Sequence, residues 1–540
     1  MAASVSCAGM DRRRIVVAEP IAPAGIALLE EEFDVVDAAG VARSTLMEHL
    51  GDAAALIVRS ATKVDEELLR AAPNLEVIGR AGIGVDNIDL DEATSRGIMV
   101  VNAPNANTIS AAEHTLALIL AQARRIPEAD ASLKAGRWER KRFQGIELHG
   151  KTLGILGLGK IGSLVAQRAR AFGMRVLAYD PYVSDERARR LDVEPVDFDT
   201  LLAESDILTI HLPKTAETEG ILSRAALAKT KPGVRIVNVA RGGLVDEEAL
   251  AEAIESGRVA GAALDVFATE PPERGRLFEL DAVVVTPHLG ASTREAQDKA
   301  GIAVAEAVAD ALRGELVPSA VNLDLGPEVP EEVRPFLRLA EGLGRIFVGF
   351  ARGLPAELTV AARGRLAREP VRPVALAAMK GALGAVTEQA VSYVNAPHLA
   401  EAHGMLVREE AEPTTTGYES VVRLSGDVGL RERVIAGTVL GHKGPVLVEV
   451  DGYRIELPIT EHLLLLRNAD VPGMIGKVGT VLGEAGVNIA DMVVGRSPTG
   501  EDAMMGLSLD RPLTDEELER LLALDGVLAA RFVDLSSRGG

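Results

Sequence analysis

The chain has one cysteine, Cys7, in 540 residues. That excludes a disulfide within the chain and a thiolate cluster around a metal, and no metal-ligand set is expected. Long apolar runs are missing too: none approaches the roughly 18–20 residues that cross a bilayer. The leader is polar and contains glycine, with no apolar stretch behind Cys7, so neither a lipoprotein nor a secretory signal is expected. Met10 would serve as a start as well as Met1, and the expected location is cytoplasmic. Positive charge is in short supply. Lys and Arg number 58 against 79 Asp and Glu, a formal net charge of −21. Such a surface repels phosphate backbones and anionic headgroups, which argues against nucleic acid or a membrane as partner. A small anionic substrate would need a locally basic pocket. Aromatics are scarce at 3%, and the 47% apolar content rests on Ala, Val and Leu.

What is present suits α/β layers, in which parallel strands read as near-continuous Val/Ile/Leu runs. At roughly 150 residues per domain, the length suggests three or four domains. From Arg14 strand and helix signals alternate: Ile15–Ala18, Phe33–Val36, Ala54–Val58 and Leu75–Ile78 read as strands, with helices between them. This predicts a small doubly wound sheet. Thr108–Arg125 reads as a long helix. A second block has six strand signals, at Leu153–Leu156, Arg175–Tyr179, Ile207–His211, Arg235–Val239, Gly261–Val266 and Ala282–Thr286. That is the length of one complete dinucleotide fold. The helix after Ser292 is expected to return to the first block, and Pro318–Pro330 reads as a linker. From His462 the order β-α-β-β-α-β is ferredoxin-like. The expected domains are 11–106 with 295–325, a substrate-binding unit; 107–294, a dinucleotide-binding unit; 326–460, an α+β unit; and 461–540, the ferredoxin-like unit.

Leu153-Gly-Ile-Leu156 runs into Gly157-Leu-Gly159-Lys160-Ile161-Gly162 and then a helix. The first glycine permits the tight turn, the second lets backbone N–H groups approach a pyrophosphate, and the third allows helix–strand contact. The helix N-terminus then faces the anion. Asp180, about twenty residues on, stands where a carboxylate accepts both ribose hydroxyls, and no arginine follows it, which favours NAD over NADP.

Three polar residues follow successive strands of the same sheet, at the carboxyl ends where ligands gather: Arg241, Glu270 and His288. A 2-hydroxy acid needs a cation for its carboxylate, and Arg offers a bidentate fork. Its oxidation needs a base for the hydroxyl proton, and a histidine steadied by a carboxylate can serve near neutral pH. Singly, each has an ordinary structural role open to it: a helix cap, a surface carboxylate before prolines, a turn residue. Their coincidence at three strand ends favours catalysis.

Asn238-Val-Ala-Arg-Gly-Gly-Leu-Val-Asp246, Ala263-Leu-Asp-Val-Phe-Ala-Thr-Glu-Pro-Pro272 and Thr286-Pro-His-Leu-Gly-Ala-Ser-Thr293 resemble the signatures of the D-2-hydroxyacid dehydrogenase family. Val58–Val64, Gly79–Asn87 and Asn107–His114 narrow the resemblance to the branch that oxidises D-3-phosphoglycerate with NAD, and it covers nearly the whole chain after Met10. The resemblance implies that Arg241 binds substrate, Glu270 supports the histidine and His288 is the acid/base. It implies cofactor contacts at Gly157, Gly159, Lys160, Ile161, Gly162, Asp180, Leu212, Val239, Ala240, Arg241, Asp265, His288, Gly290 and Ala291. It also implies substrate contacts at Arg59, Ser60 and Asn107, and a dimer arm around Arg137–Arg142 that can lend a cation to a neighbouring subunit. Reduction of 2-oxoglutarate is a further activity that the branch implies. The alternatives are a reductase of unphosphorylated 2-oxo acids and a corepressor-type binding protein on the same fold.

The last unit resembles the ACT domain, an amino-acid-sensing module. Asp470 and Asn488 fall in its ligand loops and are the candidate effector contacts, with L-serine the implied effector. A purely structural dimerisation unit is the other reading. The segment before it resembles the intervening domain of the longer members. A homo-oligomer, dimer or tetramer, is implied.

Overall fold

The structure, a computed structural model, describes residues 12–323, 329–387, 389, 391–441, 443–497 and 500–536. Cys7 and Met10 lie outside them. Strands apolar at every position form where both faces will be covered. Ala53–Val58 is buried throughout, and Thr152–Leu156 from its second residue on. Each lies inside a parallel sheet flanked by helices. The first sheet has the order Asp34–Asp37, Arg14–Val17, Ala53–Val58, Val77–Arg80, Met99–Asn102, all parallel. The second runs Val283–Val285, Val259–Leu264, Val234–Asn238, Ile207–Ile210, Thr152–Leu156, Arg175–Tyr179, Glu194–Pro195, again all parallel. Glu194–Pro195 is a strand the sequence pattern did not reveal, because two residues carry no period. The order of the second sheet reverses between Ile207–Ile210 and Thr152–Leu156, and the crevice outside the carboxyl ends there is where this architecture takes ligands.

Two long helices tie these sheets into one cleft. Thr108–Ala123 packs Ala112, Leu116, Ile119 and Ala123 into the core of the second sheet. Arg294–Leu312, capped by the Thr293 hydroxyl accepting from Ala296 N–H, returns to the first sheet with Val304, Ala305 and Val308. The chain then stays on that sheet beyond Pro318, at the start of the stretch that reads as a linker and within the 295–325 expected to belong to this unit. Val321 N–H donates to Val100 O, and Asn322 accepts from Val100 N–H while donating to Thr94 and Ile98. Backbone pairing at the sheet edge holds this stretch, and residues 324–328 of the expected linker lie outside the described ones.

The third sheet has the order Leu406–Glu412, Glu357–Gly364, Ser420–Val428, Arg431–Leu440, Gly444–Val450, Tyr453–Pro458. Its first pair is parallel and the rest antiparallel. The fourth is the ferredoxin-like unit, ordered Ile489–Arg496, Asp502–Leu509, His462–Ala469, Val527–Asp534. Helices Met474–Glu484 and Asp515–Leu522 cover one face, the second started by a capping box at Thr514 and Glu517. The other face is not solvated. Leu463, Leu465, Met504 and Val533 join one core with Phe347 and Val348 of helix Arg334–Ala351. Among the described residues no helix is long and apolar enough to cross a membrane, and no group of His, Cys, Asp and Glu is placed to hold a metal.

Candidate active site

Strand Thr152–Leu156 ends at the glycine loop, and each glycine meets a different demand. Gly157 has φ +94°, a left-handed conformation that side chains avoid, and a Cβ there would lie 2.7 Å from His211 O. A Cβ on Gly162 would lie 2.1 Å from Gly157 O, so the helix Lys160–Ala171 rests directly on the loop. Gly159 has open space where its Cβ would be. That is the cradle a pyrophosphate needs, at the N-terminus of a helix twelve residues long. Asp180, at the end of Arg175–Tyr179, accepts from Leu158 N–H at 2.8 Å and Tyr182 N–H at 2.9 Å, which fixes its carboxylate beside the loop. The residues present fit a dinucleotide. Lys160 reaches back to Asn105 Oδ1, and Leu212 closes on Gly157.

Asp265 follows Val259–Leu264, three strands from Thr152–Leu156 in the same sheet, and is fully buried. Its Oδ1 accepts from Leu289 N–H at 2.7 Å, from the Thr286 hydroxyl and from His114 Nε2, and its Oδ2 from Gly290 N–H at 2.8 Å. Burial alone would push its carboxyl up, but these donors outweigh burial and hold it below the usual carboxylate range. The same bonds shape the turn that carries His288, whose φ is +53° and whose N–H donates to Asp265 O. Gly290 sits against Val239 and Asp265, and Ala291 follows it. His288 Nδ1 donates to Glu270 Oε2 at 2.6 Å, and Glu270 Oε1 accepts from Phe267 N–H at 3.0 Å. This commits Nδ1 to the carboxylate and leaves Nε2 as the open nitrogen. The pair lines a cavity of about 380 Å³ with Phe267, Phe278 and Pro287.

Arg241 is anchored by Asn238, whose amide donates to Arg241 O and whose Oδ1 accepts from Ala240 N–H. The guanidinium donates to Ala240 O and reaches the opposite domain, with Nε 3.5 Å from Asp86 Oδ2 and Nη2 2.5 Å from where a Cβ on Gly84 would be. Arg59 and Ser60 follow Ala53–Val58 on that side, and Arg59 lines a cavity of about 180 Å³ with Gln297 and Asp298. Asn107 precedes the helix Thr108–Ala123, and its Oδ1 is buried without a hydrogen-bond partner. Four contributors were missed at the sequence level: Glu19, Arg80, Asp86 and His114. Arg80 is the most telling. Burial, and next the like charge of Arg241, pull its guanidinium below the ordinary value, and its buried Nε has no partner. Its place inside Gly79–Asn87 was the only signal available.

Asp470 and Asn488 are not brought together within one chain. Asp470, paired with Arg496 at 3.0 Å, lies where His462–Ala469 ends; Asn488 precedes Ile489–Arg496 at the opposite end of the sheet.

The description "D-isomer specific 2-hydroxyacid dehydrogenase, NAD binding domain" matches residues 116–290, "D-3-phosphoglycerate dehydrogenase intervening domain" 332–451, and "ACT domain" 462–526. A solved glyoxylate reductase from Paecilomyes thermophila superposes with a TM-score of 0.53 at 32% identity, covering 58% of this chain and 99% of that one. Fold and site together define an NAD-dependent oxidoreductase of the D-isomer specific 2-hydroxyacid class. The D-3-phosphoglycerate dehydrogenase of Mycobacterium leprae is 48% identical over 98% of this chain and 100% of its own length, and that of Archaeoglobus fulgidus 45% over 97% and 100%. The chain belongs to the D-3-phosphoglycerate dehydrogenase family.

Proposed function

We propose that the protein oxidises D-3-phosphoglycerate to 3-phosphohydroxypyruvate with NAD, the opening step of L-serine synthesis. One observation carries the substrate choice: a half-buried Arg80, its buried Nε unpartnered, beside Arg59 and Arg241, three cations converging on one cleft of a strongly acidic protein. A substrate with both carboxylate and phosphate answers that excess of positive charge. Arg241 takes the carboxylate; Arg59, Ser60 and Asn107 take the phosphate end. His288 Nε2 removes the hydroxyl proton, and Glu270 holds the ring by Nδ1 and balances the imidazolium that results. Gly157–Gly162, Asp180, Leu212, Val239, Ala240, Asp265, Gly290 and Ala291 would hold NAD, which supplies the hydride acceptor when bound.

The division we adopt is a substrate unit of 11–106 with 295–325, a cofactor unit of 107–294, an intervening unit of 326–460 and an ACT unit of 461–540. The separation of Asp470 from Asn488 favours an effector site assembled between two copies, so the working unit is a homo-oligomer and L-serine the first effector to try. Dependence on the cellular NAD pool favours the cytoplasm. The test is NADH absorbance at alkaline pH on mixing the full chain with NAD and D-3-phosphoglycerate. Saturable NADH formation is expected, and none from D-glycerate at equal concentration. NADH from neither compound removes the assignment.

A further inference from the structure

The loop Arg59–Thr62 is held from both sides by side chains of neighbouring strand ends. Glu19 stands just past Arg14–Val17, the strand beside Ala53–Val58. Its Oε1 accepts from Arg59 N–H and Thr62 N–H, each at 2.9 Å, and its Oε2 from Ala61 N–H at 3.2 Å. From the other side Asn87, beyond Val77–Arg80, donates through Nδ2 to Arg59 O at 3.0 Å and to Thr62 O at 2.7 Å. Asn87 is itself fixed, since its O accepts from Val64 N–H at 2.8 Å. One carboxylate thus collects three of the loop's four N–H groups and one amide takes two of its carbonyls, those of Arg59 and Thr62. Within the loop the Ser60 N–H is left over, with no protein acceptor among the described residues. The Arg59 guanidinium likewise has none.

We infer that Glu19 and Asn87 are positioning residues for the substrate's phosphate, acting through Arg59 and Ser60; this rests on the proposed reading of those two as phosphate contacts. A surface loop of four residues has several conformations open to it, and choosing one costs free energy that binding must otherwise supply. The two side chains meet that cost during folding. They also decide which groups are offered. Glu19 withdraws three N–H groups that could have formed a diffuse anion nest, so an incoming phosphate meets one N–H, one hydroxyl and one guanidinium in fixed relation. A carboxylate so close to an anion site is tolerable because its own charge is spent on backbone donors. Burial would push Glu19 up, yet the donated bonds hold it below the usual range, so it stays ionised.

The experiment is a double-mutant cycle on the full chain. Glu19→Gln keeps the shape but faces backbone donors with an NH₂ group. It should raise KM for D-3-phosphoglycerate about tenfold, a cost typical of a broken charge-assisted hydrogen bond. The expected kcat stays within about twofold and KM for NAD is unchanged. In an Arg59→Ala background the same change should add clearly less than in the parent chain, because one of the two groups it positions is gone and only Ser60 remains. A merely structural role would instead lower kcat and thermal midpoint together and add fully in both backgrounds, and that result overturns the inference. If Arg59→Ala itself leaves KM unchanged, the phosphate reading of Arg59 fails separately. Should Glu19→Gln not fold, Asn87→Ala goes through the same cycle with the same two outcomes.

Discussion

On the cofactor-domain wall of the cleft both oxygens of Asp265 are engaged by donors, His288 is locked to Glu270 at 2.6 Å, and Asp180 is tied to its loop. On the opposite wall the Arg59 guanidinium and Arg80 Nε have no hydrogen-bond partner among the described residues. The first wall is complete before any ligand arrives; the second is complete only with an anion in place. The difference separates two jobs. Proton transfer and cofactor placement demand fixed geometry, which hydrogen bonds supply in advance. Substrate capture draws on unspent binding energy, and half-buried cations without partners are the reservoir we propose for it.

Breaking the complete wall should cost most. His288→Asn removes the proposed base while leaving the turn held by Asp265, so kcat should fall about 10³-fold with KM changed only a few-fold. Steady-state kinetics read this directly, and a loss below tenfold would mean another group takes the proton. Breaking the unfinished wall should give the opposite pattern. Arg59→Ala should raise KM for D-3-phosphoglycerate about 30-fold with kcat nearly preserved, the scale of one lost charged hydrogen-bonding partner. Were both variants to lose kcat and KM in the same proportion, the division of labour between the walls would be gone.

The two walls were also unequally legible in the sequence. The complete one rests on short-range pattern: a glycine loop after a strand, and Arg241, Glu270 and His288 each just beyond a strand end. The other rests on pairs such as Glu19 with Arg59, 40 residues apart, and Arg59 with Asn87, 28 apart. These meet because Arg14–Val17 and Val77–Arg80 both lie beside Ala53–Val58. No local period states which strand ends become neighbours. Arg80 was hidden for a different reason: in Gly79–Asn87 an arginine reads as a surface cation until its buried, unpartnered Nε is seen. Farther along, the alternating strands of 357–458 gave no separable signal. The apolar outer face of the ACT sheet could not be known to have a covering helix, since that helix begins over a hundred residues earlier, at Arg334.

The smallest effect expected is one of stability, and it bears on how dry the finished wall is. His211 follows Ile207–Ile210 under the glycine loop, its Nε2 3.1 Å from Thr209 Oγ1, and burial pushes its imidazole down to about 4. An unfolded chain has this group near 6.5. Between those values the unfolded state binds a proton that the folded state refuses, so stability rises with pH from about 4 to 6.5 and this contribution is flat above. Asp265 is lowered below its ordinary value and destabilises only when pH falls through the carboxylate range, so it is silent from pH 5 to 7.5. Two groups in one wall therefore lose stability in acid through separate windows. His211→Gln keeps a partner for Thr209 and removes the upper window. The unfolding transition that NAD protects should lose about 2 kcal/mol between pH 7.5 and 5 less in this variant than in the parent chain. An unchanged pH dependence would mean that water reaches His211, and that the wall beneath the dinucleotide loop is wetter than its packing implies.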